Sequence, residues 1–213
     1  MVRCIVERVP EDLLQKDLEK YRQRAIELGA TDAKIITTDL VVIDERVRAK
    51  CIYPKCMFYG TNAHCPPHGM DLDQARKIVK SFRYGIFSRM QVPSDEFAGQ
   101  EAMKKNLMAR GHLNNYAVAS KIEAEAFYDG YYLALGFACG PCKPFFCPGK
   151  ECQALILGKT CRHRLRGRSS MEGAGMDVFM MATKVGWDTY PIGASTVPSD
   201  VPFGATYSLV LIY

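Results

Sequence analysis

The chain lacks most of the features that would assign a reaction by motif. It has no G-x-G-x-x-G or G-x-x-x-x-G-K-[ST] loop for a nucleotide phosphate, and no C-x3-C-x2-C of a radical enzyme. No Ser, His and Asp pattern stands out as a hydrolase signature. No run of about 18 apolar residues could span a bilayer, and the first residues, Met-Val-Arg-Cys-Ile-Val-Glu-Arg, contain no apolar export core. No internal repeat or low-complexity linker divides the 213 residues. A large charge excess is missing too: the formal net charge is only +5, which excludes global electrostatics as an argument for nucleic acid. These absences favour one soluble, cytoplasmic domain with neither membrane insertion nor nucleic-acid binding.

What the chain has is cysteine. There are nine, an odd number that disfavours a closed disulfide framework, and in a chain without an export signal so many thiols argue for metal or redox chemistry. Five lie in one Gly/Pro-rich stretch: Cys139-Gly-Pro-Cys142-Lys-Pro-Phe-Phe-Cys147-Pro-Gly-Lys-Glu-Cys152, then Cys161-Arg162-His163. Three more lie upstream as Cys51-x4-Cys56-x8-Cys65-Pro66-Pro67. Thiolates a few residues apart on irregular backbone can fold around a soft metal centre. Cys51, Cys56, Cys65, Cys139, Cys142, Cys147, Cys152 and Cys161 make eight, the number required by two Cys4-ligated [4Fe-4S] clusters. Cys4, remote from both groups, reads as a small hydrophobe buried in a short strand.

Three metal assignments compete. Two four-iron clusters use all eight thiolates. Structural zinc would want paired C-x2-C knuckles, and only Cys139/Cys142 makes one. One cluster with spare redox thiols is the third. The division of ligands stays open, because three upstream cysteines must either borrow a fourth ligand or leave one iron open for substrate. His64 and His68 flank Cys65 and read as loop groups beside the metal, since the cysteines already suffice.

Lys159, Arg162, Arg164, Arg166 and Arg168, with His163 among them, form a cationic run without an acid. It can offset cluster charge, dock an acidic redox partner or hold a phosphate-bearing ligand, and Arg162, His163 and Arg168 are the candidate contacts to the cofactor. Phe145 and Phe146 are expected as an exposed apolar partner contact. Ser169 to Glu172 has the form of a capping box opening a helix to about Val185, in which Asp177 pairs with an arginine and Met171, Met176, Met180 and Met181 pack the core.

The remaining periodicity predicts helices over 11–28, 44–50, 70–82 and 100–129, the last broken near Gly111. Strands are expected over 33–37, 40–43, 84–90, 131–137 and 205–213, the fourth running into Cys139. The fold class is α/β (α+β): a single compact domain over 1–213, with a mixed sheet flanked by helices and metal-binding loops at 51–68 and 139–163.

Taken together, the upstream cysteine motif, the Cys139-x2-Cys142 stretch, Cys161-Arg162-His163 and Arg168-Ser-Ser-Met171-Glu172-Gly-Ala-Gly175-Met-Asp177-Val178 resemble a family of predicted metal-binding proteins of archaea and anaerobic bacteria. In that family the last motif reads Arg-Pro-Ser-Met-Glu-Ala-x-Gly-Ile-Asp-Val; Ser169 and Gly173 depart from it, as does Arg164, where the family has Pro. The departures do not touch the cysteines. The resemblance spans nearly the whole chain and implies iron–sulfur binding in an anaerobic cytoplasm, without a reaction. The functional expectation is therefore electron transfer to or from a partner enzyme or larger complex, with reductive activation of a metalloenzyme as a natural task. An open-site cluster enzyme, or a structural or assembly subunit whose metal staples the fold, is the alternative. Whether the chain also forms a homo-oligomer is left open by the sequence.

Overall fold

The computed structural model describes residues 2–213. In chain order the main elements are α1 (Glu11–Glu27), β1 (Asp32–Thr37), α2 (Glu45–Ile52), α3 (Leu72–Lys80) and β2 (Tyr84–Val92). Next come α4 (Ser94–Phe97), α5 (Gly99–Lys104), α6 (Ala109–Tyr128) and β3 (Leu135–Ala138). Last are α7 (Lys143–Phe146), α8 (Gln153–Ile156), β4 (Ser169–Ser170), α9 (Val178–Lys184) and β5 (Gly204–Leu211). The sheet order is β1-β2-β5-β3-β4, antiparallel except for the β3/β4 pair, so the mixed α+β fold expected from the sequence is what forms.

Strand alternation splits the core into two layers. Ile86, Met90 and Val210 face α1 and α6, where Leu14, Leu18, Tyr21, Val118 and Ile122 are buried. Phe87, Phe137, Leu209 and Leu211 face α3, α9 and the Met171–Met176 turn, where Val79, Met181 and Trp187 complete the packing. Ser88 and Ser208, paired in register, share a 2.6 Å hydrogen bond inside the sheet. Among the described residues no helix is long and apolar enough to cross a membrane.

Several expectations need correction. Residues 2–9 form no strand, and Cys4 is exposed: Arg3 ties this segment to Tyr128 and Asp17 instead of to a sheet edge. Residues 40–43 contribute only a single bridge, Ile43 to Met176. The long helical region breaks at 105–108, where Asn106 has φ +53°, and not at Gly111. Gly111 lies inside α6 against β2, where an added Cβ would stand 2.8 Å from Val92 Cγ1. The strand leading to Cys139 shortens to Leu135–Ala138. The last helix starts at Val178, because Gly175 turns the chain at φ +81° and Asp177 caps α9 by accepting the Met180 N–H at 2.9 Å. Ser170, not Ser169, accepts from the Gly173 N–H, so the expected capping box does not form. The capping box at Asp71/Gln74 does form.

Candidate metal centre

Two loops meet at the β3/β4 end of the sheet. The upstream loop is held by α2, whose last turn carries Cys51. The Arg48 guanidinium on this helix donates to the Met70 and Gly173 carbonyls. Residues 42–44 zip to 175–177 through Asp44 N–H to Gly175 O and Asp177 N–H to Val42 O. These bonds fix the first cysteine motif to the Glu172 turn, across more than a hundred residues of sequence.

The downstream loop hangs from β3 and is clamped by one face of α6. His112, Asn115 and Tyr116 follow helical spacing and all reach it. Asn115 Oδ1 accepts the Cys139 N–H at 3.1 Å, and the Tyr116 hydroxyl donates to Gly140 O at 2.8 Å. His112 stacks on Phe145 at 4.5 Å and donates from Nδ1 to Met108 O. Phe146 is covered by Tyr116, His163 and the Arg166 guanidinium. Phe145 and Phe146 therefore pack half-buried, and the exposed apolar residues here are Ile156, Leu157 and Leu165.

Cys51, Cys56 and Cys65 line one cavity of about 170 Å³, with Phe58, Tyr59, Pro66, Gly140, Pro141, Ser170, Glu172 and Gly173 making the other walls. At about 30 Å³ per water, this is room for five or six waters, far more than a lone ion needs. Soft thiolates on three sides of such a space fit a sulfide cluster by donor chemistry. The four later cysteines bracket two single-turn helices: Cys142 and Cys147 flank α7, and Cys152 precedes α8. The charges felt by the Cys142 thiol come from Cys65, Cys161, Cys152 and Cys147. The His163 N–H points at Cys161 Sγ at 3.3 Å, the kind of amide contact that tunes a ligating sulfur.

Asn62 joins the two groups. Its Oδ1 accepts from Cys142 Sγ at 3.7 Å and from the His64 N–H at 3.0 Å, and its amide lies against Cys65. Cys139 is placed apart: its fully buried sulfur lies against Tyr207 and Thr206 of β5. Among the described residues, no three His, Cys, Asp or Glu side chains converge on a single ion position.

Burial dominates the electrostatics. It raises the thiols of Cys51 and Cys65, pushes Cys142 up to about 12, and holds Cys139 well above the ordinary range. Such thiols are protonated and unreactive at neutral pH until a cation displaces the protons. Burial also raises the Glu172 carboxyl, opposed by its own N–H and that of Gly140, which reaches Oε2 at 3.3 Å. His64 is likewise pushed toward its neutral form by burial and by Arg168, and its Nδ1 is buried with no hydrogen-bond partner among the described residues.

The cationic run divides in two. Arg168 is spent on structure: its Nε donates to Glu123 Oε2 at 2.8 Å, and its Nη1 to the Arg164 and Gly167 carbonyls. Arg162 donates to Glu151 O at 2.7 Å, closing the loop that carries Cys152 and Cys161. Lys159, Arg162, Arg164 and Arg166 are exposed around the Cys142–Cys161 loop. Sequence reasoning missed Asn62, Asn115 and Tyr116. Only Asn62 left a local signal, as an Asx turn three residues before Cys65.

No curated protein and no solved structure matches the chain. A family model described as predicted metal-binding protein (DUF2284) matches residues 34–212, which include every cysteine except Cys4. With that match over most of its length, the chain belongs to this family of predicted metal-binding proteins.

Proposed function

We propose that the protein carries two [4Fe-4S] clusters and passes single electrons to or from a protein partner. The observation that carries this reading is the gathering of seven thiols into two adjoining groups linked through Asn62. Cys51, Cys56 and Cys65 would hold one cluster. Cys142, Cys147, Cys152 and Cys161 would hold the other, with Cys139 remaining in the β5 wall. When bound, such clusters supply one-electron chemistry at low potential. The protein's own share is orientation and dielectric. α6 fixes the downstream loop, the Asn62 amide offers a hydrogen bond to the Cys65 sulfur and the His163 N–H one to the Cys161 sulfur, and Phe58, Tyr59, Pro66 and Pro141 give the upstream cavity apolar walls.

The exposed cations around the downstream loop, with Leu165 76% exposed among them, suit an acidic redox protein. Reductive activation of a metalloenzyme in an anaerobic cytoplasm is the setting that fits such a carrier. One observation favours a second reading, an enzyme with an open cluster: the upstream cavity offers only three thiols. Dithionite titration of the anaerobically purified protein separates the readings. Reversible bleaching with two coupled paramagnetic centres supports the carrier. A single centre whose spectrum shifts with added small ligands supports the enzyme. A colourless zinc protein would sink both.

A further inference from the structure

The upstream cavity has three cysteines on its walls and one other acidic side chain of carboxylate type, Glu172. We infer that the Glu172 carboxylate is the fourth protein ligand of the cluster held by Cys51, Cys56 and Cys65, an oxygen donor that small carboxylate-bearing molecules can displace. The inference rests on the two-cluster reading and adds to it a ligand and a class of bound molecule.

Four observations converge. Glu172 sits on a turn that is fixed to the Cys51 helix, because Arg48 on α2 holds the Gly173 carbonyl and Asp44 N–H holds Gly175 O. It lines the same cavity as Cys51, Cys56 and Cys65. Among the described residues no cation pairs with it, although eleven ion pairs form elsewhere. Its only neighbours in hydrogen-bond terms are backbone amides, its own and the 3.3 Å contact from Gly140. A carboxylate in an apolar cavity without a counter-charge is costly, and a metal centre is the partner that would remove the cost.

The wall around it is stripped of competing side chains. Gly140 and Gly173 flank the carboxylate, and the Ser170 hydroxyl is committed to the Gly173 N–H at 2.9 Å. At Gly173 a Cβ would stand 2.7 Å from Ser170 Oγ, so this approach is already closed to larger residues. A hard carboxylate oxygen on iron exchanges where a soft thiolate does not. The exchange is a ligand replacement: one iron–oxygen bond breaks, another forms, and no electron moves.

The test uses the full chain, purified without oxygen and loaded with 57Fe, as wild type, Glu172→Gln and Glu172→Cys. Mössbauer spectra and acid-labile sulfide are measured, and citrate is the titrated probe. The wild type should show one iron distinct from the rest and a citrate-dependent spectral change. Glu172→Cys should erase both at unchanged sulfide content. Glu172→Gln, nearly isosteric, should keep its sulfide and bind citrate about tenfold more tightly, since a carboxylate no longer competes. Spectra and citrate response identical to wild type in both variants, with clusters present, would overturn the assignment and leave the two-cluster reading intact. Wild-type protein without sulfide would overturn that reading and the assignment with it.

Discussion

Cys139 and Cys142 form the one C-x2-C pair in the chain, yet the structure gives them opposite surroundings. Cys139 is buried against β5, beside Thr206 and Tyr207. Cys142 stands between Cys65 and the three later cysteines, hydrogen-bonded to Asn62. Serine at each position should therefore do different things. In Cys139→Ser the new hydroxyl faces the Thr206 hydroxyl, which in the native protein has the weakly bonding Cys139 sulfur beside it. A gained bond offsets the loss of sulfur packing, so the stability cost should stay near ~1 kcal/mol, and iron content should hold at about eight per chain. In Cys142→Ser one of four thiolates disappears, and iron should fall to about four per chain. The assay is iron and sulfide analysis of both variants after anaerobic reconstitution, with urea unfolding of the apo-proteins. Loss of half the iron in Cys139→Ser, with Cys142→Ser unaffected, would refute the partition.

Further consequences follow from the same contacts. Gly173→Ala should cost about 1–3 kcal/mol in denaturant unfolding through its clash with Ser170 Oγ, and much of that cost should vanish in a Ser170→Ala background. Glu123 Oε2 takes both the Arg168 Nε–H and the Gly136 N–H, so Glu123→Ala should lose about 2–4 kcal/mol and loosen the basic loop, seen as faster amide exchange over 162–168. His112 is neutral in the fold because burial lowers its pKa from 6.5. The unfolded chain then binds more protons just below that value, so stability should rise with pH up to about 6.5 and fall as pH drops below it; His112→Phe should flatten the slope. Phe87→Ala, at the centre of the α3/α9 layer, should cost about 3–5 kcal/mol by thermal or denaturant melting.

Much of this architecture is legible in the sequence because local signals and packing agree. The α1 stripe, the Asp71/Gln74 capping box, and the Gly29 stop at φ +104° each correspond to one physical requirement, and each is met. The helix expected from Ser169 fails for a tertiary reason. Gly173 and Gly175 serve close approach to Ser170 and Leu72, and the Met171–Met176 turn is buried beneath the sheet instead of propagating a helix. Gly111 misleads in the opposite sense: its missing side chain admits Val92 and does not end a helix. At the metal centre the cysteine count is visible in the sequence, but direction is not. Nothing in C-x2-C spacing shows that Cys139 turns to β5 while Cys142 turns to Asn62. Asn115 and Tyr116 read as an ordinary helix face until β3 delivers the loop to them.

The central claim is that these thiols hold sulfide-bridged iron in two adjacent centres. Iron and acid-labile sulfide analysis of the anaerobically isolated chain, with EPR of the dithionite-reduced protein, tests it most directly. The account predicts about eight irons and eight sulfides per chain, with two centres close enough to broaden each other's signals. Zinc without sulfide, or about eight irons still retained when Cys51, Cys56 and Cys65 are all replaced by serine, would contradict it.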